Sequence, residues 1–94
     1  MLIVSGKIFV RSGTRESFLE SCTEAIGQAR KAPGCQDFVV AADPLEPDRV
    51  NVYEVWDSEE TLLAFRDSGT DTSLQAVIVK AEVARHVVSS SGPA

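Results

Sequence analysis

Ninety-four residues make one domain, with no room for a linker between two. Fourteen acidic residues against nine basic ones leave a net charge of −5. That balance argues against a nucleic-acid or anionic-membrane partner, since both need a basic face to neutralise phosphate. Two cysteines and one histidine are too few for a disulfide-stapled secreted domain or a structural zinc site. No basic region precedes the short apolar run Leu2-Ile3-Val4, and no stretch approaches the roughly 20 apolar residues of a membrane span. The expectation is a reduced, cytoplasmic protein.

Residues 2–10 read as a strand, rich in β-branched and aromatic side chains, ending near Arg11-Ser12-Gly13. From Thr14 the period changes. Phe18, Cys22, Ile26 and Ala29 recur at helical spacing while Arg15, Glu16, Glu20 and Glu24 fall off that stripe. Thr14 suits the N-cap, and Pro33-Gly34 ends the helix. A second strand spans residues 35–42. The loop Asp43-Pro44-Leu45-Glu46-Pro47-Asp48 returns the chain antiparallel into a third strand, Arg49 to Trp56. Asp57 and Glu60 have capping-box spacing for a second helix, with Leu62, Leu63 and Phe65 on its apolar face and Gly69 as C-cap. Thr70 to Ser73 is polar, a helical turn follows at Leu74–Val77, and a last strand runs from Ile78 to Val88.

The order β-α-β-β-α-β predicts an α+β, ferredoxin-like domain over residues 1–89, with a four-stranded antiparallel sheet and both helices on one face. Residues 90–94, Ser-Ser-Gly-Pro-Ala, offer no apolar anchor and are expected to form a flexible tail that adds little to the fold. Two helices cover only one side of such a sheet, so its strands should alternate apolar and polar. Ile8-Phe9-Val10, Phe38-Val39-Val40, Val55-Trp56 and Val87-Val88 instead place apolar side chains on both sides. With folding of so short a chain removing only about 60–65% of its surface from water, a homodimer packed sheet to sheet is expected.

The sequence has no phosphate-binding glycine loop, no metal-spaced ligand cluster and no nucleophile elbow. A few residues remain as candidates. Trp56 ends the third strand, where its ring either walls a cavity or fills the core with its indole N–H satisfied. Val50, Val52, Glu54 and Trp56 share one face of that strand, and Asn51 and Tyr53 the other. Burial would raise Glu54 into the range of a general base; a partner such as Arg85, Lys80 or Arg66 would make it half of an ion pair. His86, the single histidine, shares parity with Glu82, Ala84 and Val88, and parity alone leaves open whether it meets the helices or the opposite face. The expected site is one apolar pocket between helices and sheet, walled by Trp56, Phe65, Phe18 and Cys22, with His86 or Glu54 as proton acceptor.

Pro33-Gly34-Cys35, the loop Asp43-Pro44…Pro47-Asp48-Arg49, and the run Tyr53-Glu54-Val55-Trp56-Asp57-Ser58-Glu59-Glu60 resemble the antibiotic biosynthesis monooxygenase family. Leu62, Ala64, Phe65 and Ser68 continue the pattern, and the likeness covers residues 2–88. The resemblance implies a homodimer whose sheets form a dimeric α/β barrel, an apolar pocket in each subunit, and no cofactor. It is a family of cofactor-free phenol oxygenases, haem-degrading enzymes and isomerases. In the phenol oxidisers the substrate, once ionised, is itself the reductant of dioxygen. The haem-degrading branch carries an Asn on its first strand, a Trp on its second helix and a following His; here Ser5-Gly6-Lys7, Phe65 and Leu74-Gln75 stand in those places. The phenol-oxidising branch arranges Asn, Trp and Tyr around its substrate. Trp56 matches, whereas Asn51 and Tyr53 have the wrong strand parity to share its pocket. Two functions follow: a cofactor-independent monooxygenase of an electron-rich aromatic, and a non-catalytic dimeric module that binds a small aromatic ligand in the same pocket.

Overall fold

The computed structural model describes residues 1–67 and 76–94. The expected Gly69 cap, the Thr70–Ser73 stretch, and Leu74 and Gln75 lie outside the described residues. The chain runs β1 (Leu2–Val10), α1 (Arg15–Lys31), β2 (Cys35–Ala42), β3 (Arg49–Trp56), α2 (Glu59–Asp67) and β4 (Ile78–Val87). All four strands form one sheet in the order β2-β3-β1-β4, antiparallel at every pairing. This is the ferredoxin-like arrangement read from the element order.

Register sets which side chains share a face. Four rows cross the sheet on the helix side: Cys35–Trp56–Leu2–Val87, Phe38–Glu54–Val4–Arg85, Val40–Val52–Gly6–Val83, and Ala42–Val50–Ile8–Ala81. Their strand neighbours face the other way. Ile3, Phe9, Val39, Tyr53 and Val55 lie there among Ser5, Lys7, Asn51 and His86, so the helix-free face is mixed rather than polar. On β4 even the helix side is open, with Val83 38% and Val87 81% exposed, because α1 packs chiefly on β2 and α2 on β3.

The helix termini depart from the expected caps. Thr14 occupies the N-cap of α1, but its hydroxyl donates to the Arg11 carbonyl at 2.6 Å and caps no helical N–H. At α2 the cap is Ser58, not Asp57: the Thr61 N–H donates to Ser58 Oγ at 3.3 Å and the Ser58 N–H to Thr61 Oγ1 at 3.4 Å. The reciprocal pair has moved one residue on, because the Asp57 N–H is held by the Gly34 carbonyl at 2.7 Å and Asp57 therefore belongs to the turn. Gly34 adopts φ +83°, and a Cβ there would collide with Thr61. Only glycine lets the turn that ends α1 approach the start of α2 this closely.

At the opposite end, Arg15 of α1 donates from one guanidinium nitrogen to the Asp43, Glu46 and Arg49 carbonyls at 2.9–3.3 Å. Asp43 accepts from the Leu45 and Glu46 N–H groups and from Asn51 Nδ2, and Asn51 accepts from Arg49 Nε. These bonds hold the Asp43 carboxyl down at about 2, the Asn51 amide contributing most. Asn51 therefore fixes the β2–β3 loop. Among the described residues no helix is long and apolar enough to cross a membrane.

Candidate functional site

The core is split. Leu2, Val4, Trp56 and Leu62 form one buried cluster under α2, with Ala32, Cys35, Phe38 and Phe65 packed against it. Val10, Phe18, Cys22 and Val50 form a second cluster under α1. Val52 and Gly6 belong to neither and form a seam between the clusters, while Val40 at the end of their row packs against the second. Gly6 contributes no side chain to it. Its φ of +154° would aim a Cβ into the Glu82 carbonyl and the Val83 backbone of β4, so the strand is glycine-dependent at the middle of the seam.

One carboxylate borders this seam. Glu54 is 8% exposed, the one buried polar residue among the described residues. Along β3 it lies between Val52 and Trp56, and its cross-strand neighbours are Val4 and Phe38. Desolvation by these apolar neighbours raises its pKa above the ordinary 4.5, opposed by a hydrogen bond from Trp56 and by the charge of Arg66. Trp56 is fully buried, and its indole Nε1–H donates to Glu54 Oε1 at 2.9 Å. Of the two readings of Trp56, the one seen is a core ring with its N–H satisfied, and the bond orients the carboxylate. Phe65 packs on Trp56 at 5.5 Å between centroids, and Phe38 meets Phe65 edge-on at 6.0 Å. An aromatic wall thus stands beside a carboxylate in a low-dielectric setting.

The other named partners of Glu54 are committed elsewhere. Arg85 pairs with Glu59 at 2.7 Å, and Lys80 pairs with Glu82 at 3.2 Å on the helix-free face. Glu54 forms no ion pair among the described residues; Arg66 acts on it through its charge. Of the residues singled out from sequence, Trp56, Phe65 and Glu54 come together on the α2 side of the seam. Phe18 and Cys22 stand across it, in the cluster under α1. His86 lies opposite Ile3 on the helix-free face, exposed, so the sheet separates it from Trp56. Sequence reasoning passed over Phe38 and Gly6. A lone glycine within an otherwise β-branched strand was the available signal for the second. Cys35 is also near the site, its thiol pushed up mainly by burial and next by the Glu54 charge.

A four-stranded antiparallel sheet with two helices on one side, in β-α-β-β-α-β order, defines a ferredoxin-like domain. The model of the antibiotic biosynthesis monooxygenase family matches residues 1–77, and the chain belongs to that family. A Nitrosomonas europaea protein carrying the same family name superposes with a TM-score of 0.83 at 16% identity, over 96% of this chain and 100% of that one. A Chloroflexus aurantiacus protein with that family name gives 0.74 at 26% identity, over 98% and 96% of the two chains. A Bacteroides thetaiotaomicron conserved protein of unknown function gives 0.79 at 17% identity, over 90% and 94%. No curated protein matches this sequence.

Proposed function

We propose that this protein is a cofactor-independent monooxygenase of an electron-rich aromatic, a phenol or an anthrone-like compound, bound at the seam over Gly6. The observation that carries this reading is Glu54, a carboxylate set among apolar side chains, raised by burial and aimed by the Trp56 indole. A carboxyl so placed is closer to neutrality than a free one and therefore a better base at physiological pH. Trp56, Phe65 and Phe38 supply the ring wall on one side, and Phe18 and Cys22 the boundary on the other. The Glu54 oxygen not bonded to Trp56 accepts the phenol proton. The phenolate then reduces dioxygen, a C–O bond forms on the ring, and loss of one water leaves the quinone, so one O2 yields one new carbonyl and one H2O. His86, on the opposite face, has no part in this step.

Oxygen uptake with 1,5-dihydroxynaphthalene or an anthrone tests the reading. Consumption of one O2 per substrate, with quinone formed, is expected. Quenching of Trp56 fluorescence without oxygen loss would make the protein a binding module instead.

The same proposal places a second copy of the chain on the helix-free face. Ile3, Phe9, Val39 and Tyr53 gather there with no covering layer among the described residues, and Tyr53 is 43% exposed. Sedimentation equilibrium at micromolar concentration is expected to give twice the chain mass. A monomer would overturn the dimeric barrel.

A further inference from the structure

The seam has a second polar end. Val4 on β1 has two cross-strand neighbours on the helix side, Glu54 on β3 and Arg85 on β4. Strands lie about 4.8 Å apart, so the two residues start about 10 Å from each other across the row. Arg85 is on the helix side, because its guanidinium reaches Glu59 in the first turn of α2 at 2.7 Å. It rises beside Val83 and Val87, is 45% exposed itself, and among the described residues no helix covers those two side chains. Arg66 of α2 also acts on Glu54 through its charge. Arg85 therefore sets a cation beside exposed apolar side chains in a chain whose net charge is −5. A half-exposed pair such as Arg85–Glu59 adds little to stability, and a ligand anion exchanges with Glu59 at small cost.

We propose that Arg85 anchors an anionic substituent of the ligand, so that the site takes an aromatic acid of two or three fused rings, its hydroxyl at Glu54 and its carboxylate at Arg85. This rests on the reading of the seam as an aromatic-binding site. Guanidinium and carboxylate pair through two parallel hydrogen bonds, which fixes the ring plane as well as its position. The hydroxyl is thereby presented to the base at the far end, and Glu59 serves as the resting partner of Arg85 when the site is empty.

The test titrates 1,4-dihydroxy-2-naphthoic acid and 1,4-dihydroxynaphthalene against the full chain, following the fluorescence of Trp56, the single tryptophan. The acid is expected to bind about 10-fold tighter than the neutral diol. Arg85→Gln should remove that preference, Arg85→Lys should restore part of it, and Glu59→Gln, which frees the guanidinium, should enlarge it. Circular dichroism of each variant establishes that it is folded. Equal affinities for acid and diol in the unmodified protein, or a preference that survives Arg85→Gln, overturns the anchor while leaving the aromatic site intact. Failure of both compounds to bind overturns the aromatic site itself, and the anchor with it.

Discussion

Gly6→Ala is expected to destabilise the protein by about 2–4 kcal/mol, a large share of a fold worth roughly 5–14 kcal/mol at this length. The cost has two sources. The backbone at φ +154° is one that L-residues with a Cβ rarely adopt, and the added methyl would meet the Glu82 carbonyl and the Val83 Cα. Neither neighbour is a side-chain tip that could swing aside; both belong to the β1–β4 ladder. The strand pair must spread or β4 must shift. Urea denaturation at fixed protein concentration should show the midpoint falling by roughly 1–3 M. An unchanged midpoint would mean that β1 and β4 do not pair at Gly6 as described.

Glu54→Gln separates stability from chemistry, and the two should move in opposite directions. Gln keeps an oxygen to accept the Trp56 indole hydrogen bond and nearly the same volume, so the site geometry survives. Without a proton acceptor, turnover of a phenolic substrate should fall by about 10²-fold or more, while binding, read from Trp56 fluorescence, changes little. Stability follows from the sign of the shift. Burial raises the Glu54 pKa above 4.5, so the folded state holds the proton more firmly than the unfolded chain does. The contribution of Glu54 is complete below 4.5 and is lost as pH rises through the raised folded value. The Gln variant should therefore melt with the unmodified protein near pH 4 and above it at pH 7–8. Asp43 acts in the reverse sense: held down at about 2 from 3.8, it stabilises above 3.8 and loses that contribution as pH falls toward 2. Glu54→Gln should leave this acid limb in place. A Gln variant that melts lower at pH 8, or keeps full turnover, would remove Glu54 as a buried base.

The element order, the strand bounds and the antiparallel sheet were legible in the sequence, since they rest on local pattern. Alternation in Arg49–Trp56, helical spacing of Phe18, Cys22 and Ala29, and Pro33-Gly34 as a stop all act within a few residues of one another. The shared face of Glu54 and Trp56 was legible for the same reason, because strand period is 2. Caps were less so: Asp57 and Ser58 are both competent, and the choice fell to Ser58 only because Gly34, 23 residues earlier, accepts the Asp57 N–H.

Only the tertiary structure decided what occupies the other side of each parity. Period 2 sorts His86 from Arg85 but does not say which of them meets the helices; the pairing with Ile3 and the reach of Arg85 to Glu59 settle it. The partner of Glu54 was likewise open while Arg85, Lys80 and Arg66 were all candidates, until register carried Lys80 to the opposite face and Glu59 claimed Arg85. The division of the core at Gly6 depends on where α1 and α2 come to rest over the sheet, at sequence separations of tens of residues. Local pattern determines which elements form and which side chains they group. The site depends on how those groups face one another across the fold, and that is a property of packing between distant segments.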